Sequence, residues 1–351
     1  MWAWLVDRFE TPYLLATLGA LIGLAFGYFG QRSRFCLRAA TIEFAERQWG
    51  QRTTVWLITF SVAVMGTQLA IASGWFDTAN VRQLASVGSL SGAILGGLMF
   101  GTGMILTRGC ASRMLILAGT GNLRSLLSGL VFAVTAQAAT GGILAPFREW
   151  LNALWTIPGG TARDLLAILG WGRPFAIAFA GVWLVAAILW AIRSRLPRAQ
   201  IGHAIGAGAV IVVAWIATYQ LSLVSFDPVP VRSLTFTSPS ANVLMTVLAT
   251  ATVPLDFDFF FIPAVLLGAF LAAWHNRELE LQGFQGGHAM KRYLAGAVLM
   301  GFGGILAGGC AVGAGVTGAS LFSLTSWLTL LAMWVGGIVT HRLVDGTMRA
   351  T

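Results

Sequence analysis

What most constrains this chain is a recurrence. Apolar stretches long enough to cross a bilayer follow one another, separated by short polar breaks. A spanning helix needs roughly 17–25 mostly apolar residues. Nine stretches qualify, at about 13–30, 53–73, 88–107, 125–147, 174–192, 201–221, 257–274, 293–308 and 324–341. Only 10% of the residues are charged and 57% are hydrophobic, whereas soluble domains carry about 25% charged residues. The runs therefore do not belong to a soluble core, and the expected fold class is an all-α polytopic membrane protein. The segment Met1 to Thr11 is short, amphipathic and without a basic start, so the first apolar run is expected to be retained as a span. Forty-three glycines and 14 tryptophans suit close helix contacts and interfacial anchors.

Four further stretches, at about 36–48, 110–119, 239–252 and 310–321, are too short to cross and are rich in Gly, Ala, Ser and Thr. They read as re-entrant or broken helices, which survive at membrane depth only where protein or a water-filled cavity satisfies the backbone. The expected architecture is thus about nine transmembrane helices plus four short re-entrant helices.

The formal charge of +9 comes from 21 arginines and one lysine, Lys291, against 13 acids. With nine spans the connections alternate sides. One side receives sixteen basic residues (Arg32, Arg34, Arg38, Arg47, Arg52, Arg108, Arg113, Arg124, Arg193, Arg195, Arg198, Arg277, Lys291, Arg292, Arg342 and Arg349) and the other only six. The richer side should face the cytoplasm, giving a periplasmic N-terminus and a cytoplasmic C-terminus. The cations are scattered singly between spans, which argues against nucleic acid and is compatible with an anionic substrate.

Residues 96–111, GGLMFGTGMILTRGCA, align with 296–311, GAVLMGFGGILAGGCA, at eight of sixteen positions without a gap. Arg32-Ser33 and Arg232-Ser233 repeat the same offset of 200. Each half reads span, short helix, span, span, short helix, span, over about 13–147 and 201–341, with one extra span at 174–192. Corresponding spans are five apart, an odd number, so the second half enters from the opposite face. The expected organisation is an inverted repeat: 1–150 as the first half, 151–200 as the linking helix, and 201–351 as the second half. Interrupted segments at matching places in inverted halves point to a transport site near the midplane.

The chain has three cysteines, Cys36, Cys110 and Cys310, and all fall where apolar runs break. Each stands near an expected helix N-terminus, where free N–H groups favour an anion. Metal thiolates would need histidine or carboxylate help, and none is adjacent. A redox disulfide would leave one thiol over. A neutral thiol remains as a weak donor to a soft anion, since a thiol near its usual pKa of about 8.5 is mostly protonated at neutral pH. Weak sites in series suit conduction. Gly109 and Gly309 let a ligand approach the backbone. Arg108 and Arg113 flank Cys110, and Arg34 stands by Cys36, all placed to attract a dianion. Arg232 lies near the third short helix and suits the outer entrance. Glu43 is expected to pair with Arg47, Gln68 and Gln137 to hydrogen-bond between helices, and Asp256 and Asp258 to be solvated.

The motifs RSRFCLRAA, GMILTRGCASRML and GGCAVGAGVTG carry a resemblance. Over about 13–341 the sequence looks like the YeeE/YedE family of bacterial membrane proteins, the thiosulfate-uptake permeases. The resemblance implies an hourglass-shaped inverted repeat in the bacterial inner membrane. It also implies thiosulfate handed among Cys36, Cys110 and Cys310 along a narrow path, without large rocking of the halves and with Cys110 central. No cofactor, metal or enzymatic step is expected. The partners are the thiosulfate ion, the lipid bilayer and a separate soluble sulfur-carrier protein. The second-half motif reads CAVGAG, without the polar residue often found after the second glycine, which bears on selectivity. Two alternatives stay open: a permease for another sulfur or selenium species, and a membrane sulfurtransferase using a cysteine persulfide, which would need a thiolate.

Overall fold

The computed structural model describes residues 8–48, 50–284 and 287–345. The first seven residues of the N-terminal segment, and Arg349, lie outside the described residues. The protein is an all-α polytopic membrane protein. Among the described residues, eight helical stretches are long and apolar enough to cross a membrane: Thr11–Ala45, Gln51–Ala72, Leu90–Gly119, Leu123–Gly141, Arg173–Arg193, Arg198–Val224, Phe257–His275 and Leu324–Val344. The stretch expected at 293–308 forms part of a further helix, Gly287–Leu306, of 20 residues.

Two of the eight are broken inside. The first divides into α1 (Thr11–Ser33) and α2 (Leu37–Ala45), and the third into α4 (Leu90–Leu106) and α5 (Ala111–Gly119). Between them runs α3 (Gln51–Ala72), and α6 (Leu123–Gly141) follows α5. The span expected over 125–147 stops early because the Gly141-Gly142 pair ends the helix, and a separate surface helix, α7 (Ala145–Ala153), continues. Then come α8 (Arg173–Arg193), α9 (Arg198–Val224), α10 (Thr237–Ala249), α11 (Phe257–His275), α12 (Gly287–Leu306) and α13 (Leu324–Thr340). The short helix expected at 310–321 is not an α-helix. It is a π-turn, Gly313–Gly318, running into a 3₁₀ turn, Ala319–Leu321. Its backbone bonds run five residues back, Thr317 N–H to the Val312 carbonyl at 2.8 Å, a geometry that concentrates at functional sites.

The helices pack through glycine. Gly19, Gly23 and Gly27, four apart on α1, lie against the carbonyls of Phe257, Phe261 and Val265 on α11, and a Cβ at any of them would collide with that backbone. Such small-residue spacing allows close approach where lipid supplies no hydrophobic drive between helices. Gly96 and Gly103 of α4 meet Gly303 and Gly296 of α12 in the same way. Exchanging each residue for its partner 200 positions away turns one of these contacts into the other. The wider packing also comes in twos: α1 on α11 and α9 on α3; α4 on α13 and α12 on α6; α2 on α3 and α10 on α11. Helix α8 has no such counterpart and packs chiefly on α3.

Helix ends show a second regularity. Arg34, Arg47, Arg108, Arg195 and Arg277 all adopt positive φ, between 51° and 58°, just past a helix or its last turn. This left-handed cap usually takes glycine. A cation beside the terminal carbonyls offsets part of the strain. All five belong to the sixteen basic residues of the richer side.

Candidate functional site

The breaks after α1 and α4 put two cysteines in extended backbone directly ahead of short helices. Cys36 precedes α2 with φ −164° and ψ 119°, and Cys110 precedes α5 with φ −82° and ψ 170°. A helix begins with N–H groups lacking intrahelical partners. Here neither thiol closes a cap hydrogen bond, although the Ala39 and Arg113 amides face the two sulfurs. The thiols of Cys36 and Cys110 are electrostatic neighbours, and Cys110 Sγ lies 3.4 Å from Ser112 Oγ. All three cysteines are free and buried.

Polar side chains lead away from this pair on one side. Arg113, in electrostatic reach of both thiols, donates from Nη1 to Gln31 Oε1 at 3.1 Å. Gln31 Nε2 donates to Glu278 Oε2 at 3.2 Å, and Glu278 stands 3.7 Å from Arg34. Gln31, Arg34 and Glu278 line a cavity of about 240 Å³ that Arg32 and Arg52 share.

Cys310 sits apart, with neither other thiol among its hydrogen-bond partners. Its sulfur accepts N–H bonds from Phe236 and Gly313, both at 3.4 Å. A sulfur held by two donors keeps its own S–H available to a ligand. Gly309 is needed here, because a Cβ would press on the Ala314 amide, whereas one at Gly109 would meet only ordinary contacts. Beside this turn lie two cavities sharing Arg82, Gly308 and Gly313. One, of about 240 Å³, is also lined by Arg232, Ser238 and Asp258. The other, of about 480 Å³, is also lined by Arg148, Asn152 and Arg163. Arg163 is buried and donates to the Ser86 carbonyl at 2.7 Å and Thr325 Oγ1 at 2.6 Å; burial and the nearby Arg82 lower its pKa to about 10.

Between the Cys36–Cys110 pair and Cys310 the interior is aromatic. Phe26, Phe35, Phe236 and Phe261 are all almost fully buried. Phe26 lies 5.3 Å from Phe236 and 6.4 Å from Phe35, and Phe236 lies 5.2 Å from Phe261, between ring centroids. Phe236 is 200 residues past Cys36, so where the first half has a thiol near Cys110 the second has a phenylalanine, whose main-chain N–H meets Cys310.

The expected site residues thus separate. Cys36, Cys110 and Arg113 come together; Arg34 lines the cavity reached through Gln31. Cys310 and Gly309 form the opposite turn. Arg108 is exposed, and its place is conformational, with φ 58° where Gly308 has 78°. Three other expectations are corrected. Glu43 makes no ion pair with Arg47 among the described residues; it accepts from the Arg52 and Thr53 amides and Thr53 Oγ1, capping α3. Gln68 bonds to the Ser320 carbonyl at 2.7 Å, but buried Gln137 Oε1 has no partner among the described residues. Asp256 caps α11, while Asp258 is buried rather than solvated and pairs with Arg232 at 2.8 Å. Among the described residues no group of three or more metal-type side chains occurs.

The site's cysteine turns fall inside a wider similarity. The family described as sulphur transport matches residues 32–339. The thiosulfate transporter TsuA of Escherichia coli is 24% identical over 338 residues, covering 91% of this chain and 91% of its own. The thiosulfate transporter TsuA of Spirochaeta thermophila is 25% identical over 328 residues, covering 91% of this chain and 96% of its own.

Proposed function

The chain belongs to the sulphur transport family, and from that premise we propose that it imports thiosulfate across the bacterial inner membrane by hand-over between three thiols. The single observation that carries this reading is the arrangement of the thiols. Cys310 lies beneath one set of arginine-lined cavities. The Cys36–Cys110 pair lies at the head of a polar chain to another. The anion enters beside Arg232 and Arg82, meets the Cys310 thiol, passes the phenylalanines, and is taken up by Cys110 and Cys36. It leaves past Arg113, Gln31 and Arg34.

A dianion leaving water needs compensation at every step. Arginines supply it at both mouths, and the free N–H groups at the starts of α2 and α5 supply it within. The thiols are weak neutral donors, so none traps the ion. The phenylalanines keep water and hydrated ions from passing when no substrate is present.

In this reading 1–150 and 201–351 are inverted halves joined by 151–200, which the paired packing of their helices supports. The arginine-capped side is cytoplasmic, with the N-terminus outside and the C-terminus inside, and a separate sulfur carrier receives the ion there. The persulfide alternative is less well supported, because Cys110 is 0% exposed and a nucleophile for a protein partner must be reached. Growth on thiosulfate of a bacterium lacking sulfate uptake, with this chain as sole importer, tests the function. Rescue supports it, and failure with the protein present in the membrane contradicts it.

A further inference from the structure

The first and second halves differ most in charge at their mouths. Aligned at their starts, α3 and α11 put Arg52 and Asp258 at the same position, the second residue of each helix. Around the inner cavity stand Arg32, Arg34 and Arg52 against the single acid Glu278. Around the outer 240 Å³ cavity stand Arg82 and Arg232 with Asp258 among them. An anion-recruiting mouth thus holds a carboxylate of its own, bonded at 2.8 Å to the arginine an incoming anion would use.

Arg232 is held firmly. Its amide donates to Thr218 Oγ1 at 3.2 Å, and that hydroxyl donates back to the Arg232 carbonyl at 2.7 Å. The next residue, Ser233, donates to the Ile211 carbonyl at 2.8 Å. Asp258 is only 9% exposed. The other charged groups around it are Asp256, committed to capping α11 through the Phe259 amide, and exposed Arg82. The cavity also includes Gly313 and Ser238, beside the two amides that hold Cys310.

We propose that Asp258 is a specificity-determining residue: a built-in counter-anion that occupies Arg232 and yields it only to a divalent oxyanion. A halide taking Arg232 would replace one negative charge by another and leave a buried carboxylate unpaired, an unfavourable exchange. A dianion leaves the same carboxylate unpaired but offsets that cost, because its two charges and several acceptor oxygens engage Arg232 in two bonds while Arg82 takes the rest. The carboxylate therefore acts as a repulsive element against the wrong ligand, which is how specific sites are commonly built. This inference rests on the thiosulfate reading for its substrate, but the chloride effect does not depend on it.

The test uses the full-length chain, purified and reconstituted, with chloride at about 150 mM, near physiological ionic strength, or with gluconate in its place. Two readouts are taken: thiosulfate uptake, and the thermal unfolding midpoint in detergent. Wild type and Asp258→Glu should respond alike to the two salts. Asp258→Asn frees Arg232, so chloride should slow its uptake about fivefold and raise its midpoint. Adding Arg232→Gln to Asp258→Asn should abolish both chloride effects. Asp258→Ser serves if the asparagine variant does not reach the membrane. Chloride insensitivity of both Asp258 variants overturns the proposal, as does chloride sensitivity that survives loss of Arg232. If wild type takes up no thiosulfate, the transport reading fails, while the melting shift still decides the role of Asp258.

Discussion

Phe236 makes two separable contributions to the proposed path, and its replacement by leucine distinguishes them. Its main-chain N–H holds the Cys310 sulfur at 3.4 Å, and its ring, 1% exposed, packs between Phe26 and Phe261 at 5.3 and 5.2 Å. Phe236→Leu leaves the N–H in place and removes both ring contacts. Each aromatic pair is worth roughly 0.5–1.5 kcal/mol, so the variant should lose about 1–3 kcal/mol and still fold. If the rings are the barrier between Cys310 and the Cys36–Cys110 pair, thinning one lowers the passage barrier without touching either thiol site. Thiosulfate uptake into proteoliposomes should rise several-fold, and sulfate, which wild type is expected to exclude, should begin to leak. A drop of about 1.4 kcal/mol in the barrier would mean a tenfold faster step. Unchanged thiosulfate uptake with sulfate still excluded would refute the reasoning. So would complete loss of uptake in a variant that melts within a few degrees of wild type.

Other consequences follow from the same geometry. A thiophilic metal ion such as Hg²⁺ should bridge Cys36 and Cys110, whose thiols are electrostatic neighbours. About one equivalent should inhibit uptake, and Cys36→Ala or Cys110→Ala, but not Cys310→Ala, should remove the second metal–sulfur bond seen by X-ray absorption. Gln31→Leu breaks the link from Arg113 to Glu278. It should lower uptake several-fold, most at low substrate, while Gln31→Asn, which keeps an amide able to accept and donate, should retain more of it; equal rates for both would contradict a role in passing the ion. Gly23→Leu drives a side chain into the Phe261 carbonyl and Ala264. It should prevent α1 from seating on α11, read as loss of monodisperse protein at normal synthesis, since overpacking typically costs about 1–3 kcal/mol or more.

Much of this fold is readable in the chain because membrane length, charge bias and glycine spacing are local signals. The runs at 13–30, 53–73 and 257–274 appear as α1, α3 and α11, and the breaks at Cys36 and Cys110 start the short helices α2 and α5. The fourth short segment misleads because Gly313, Gly315 and Gly318 carry almost no helical preference of their own. What sets its π-turn is packing against Thr235, Ser326 and Leu330, which periodicity does not report. Arg108 misleads for a related reason. Its neighbourhood to Cys110 is sequential, but the left-handed backbone that ends α4 turns its side chain outward. Asp258 and Gln31 do not stand out in the sequence as site residues because their partners lie 26 and 82 residues away in the chain, at Arg232 and Arg113. The offset of 200 that aligns the cysteine turns also aligns Cys36 with Phe236, and so marks in the sequence where the interiors of the two halves differ.

The most direct test of hand-over between thiols is uptake of labelled thiosulfate by proteoliposomes carrying wild type or Cys110→Ala. Cys110 is 0% exposed, and loss of its sulfur removes a small buried group, costing about 1 kcal/mol, too little to unfold the protein. Uptake falling to the level of empty liposomes, with melting within a few degrees of wild type and membrane content unchanged, is the result that hand-over predicts. Uptake persisting near the wild-type rate contradicts it.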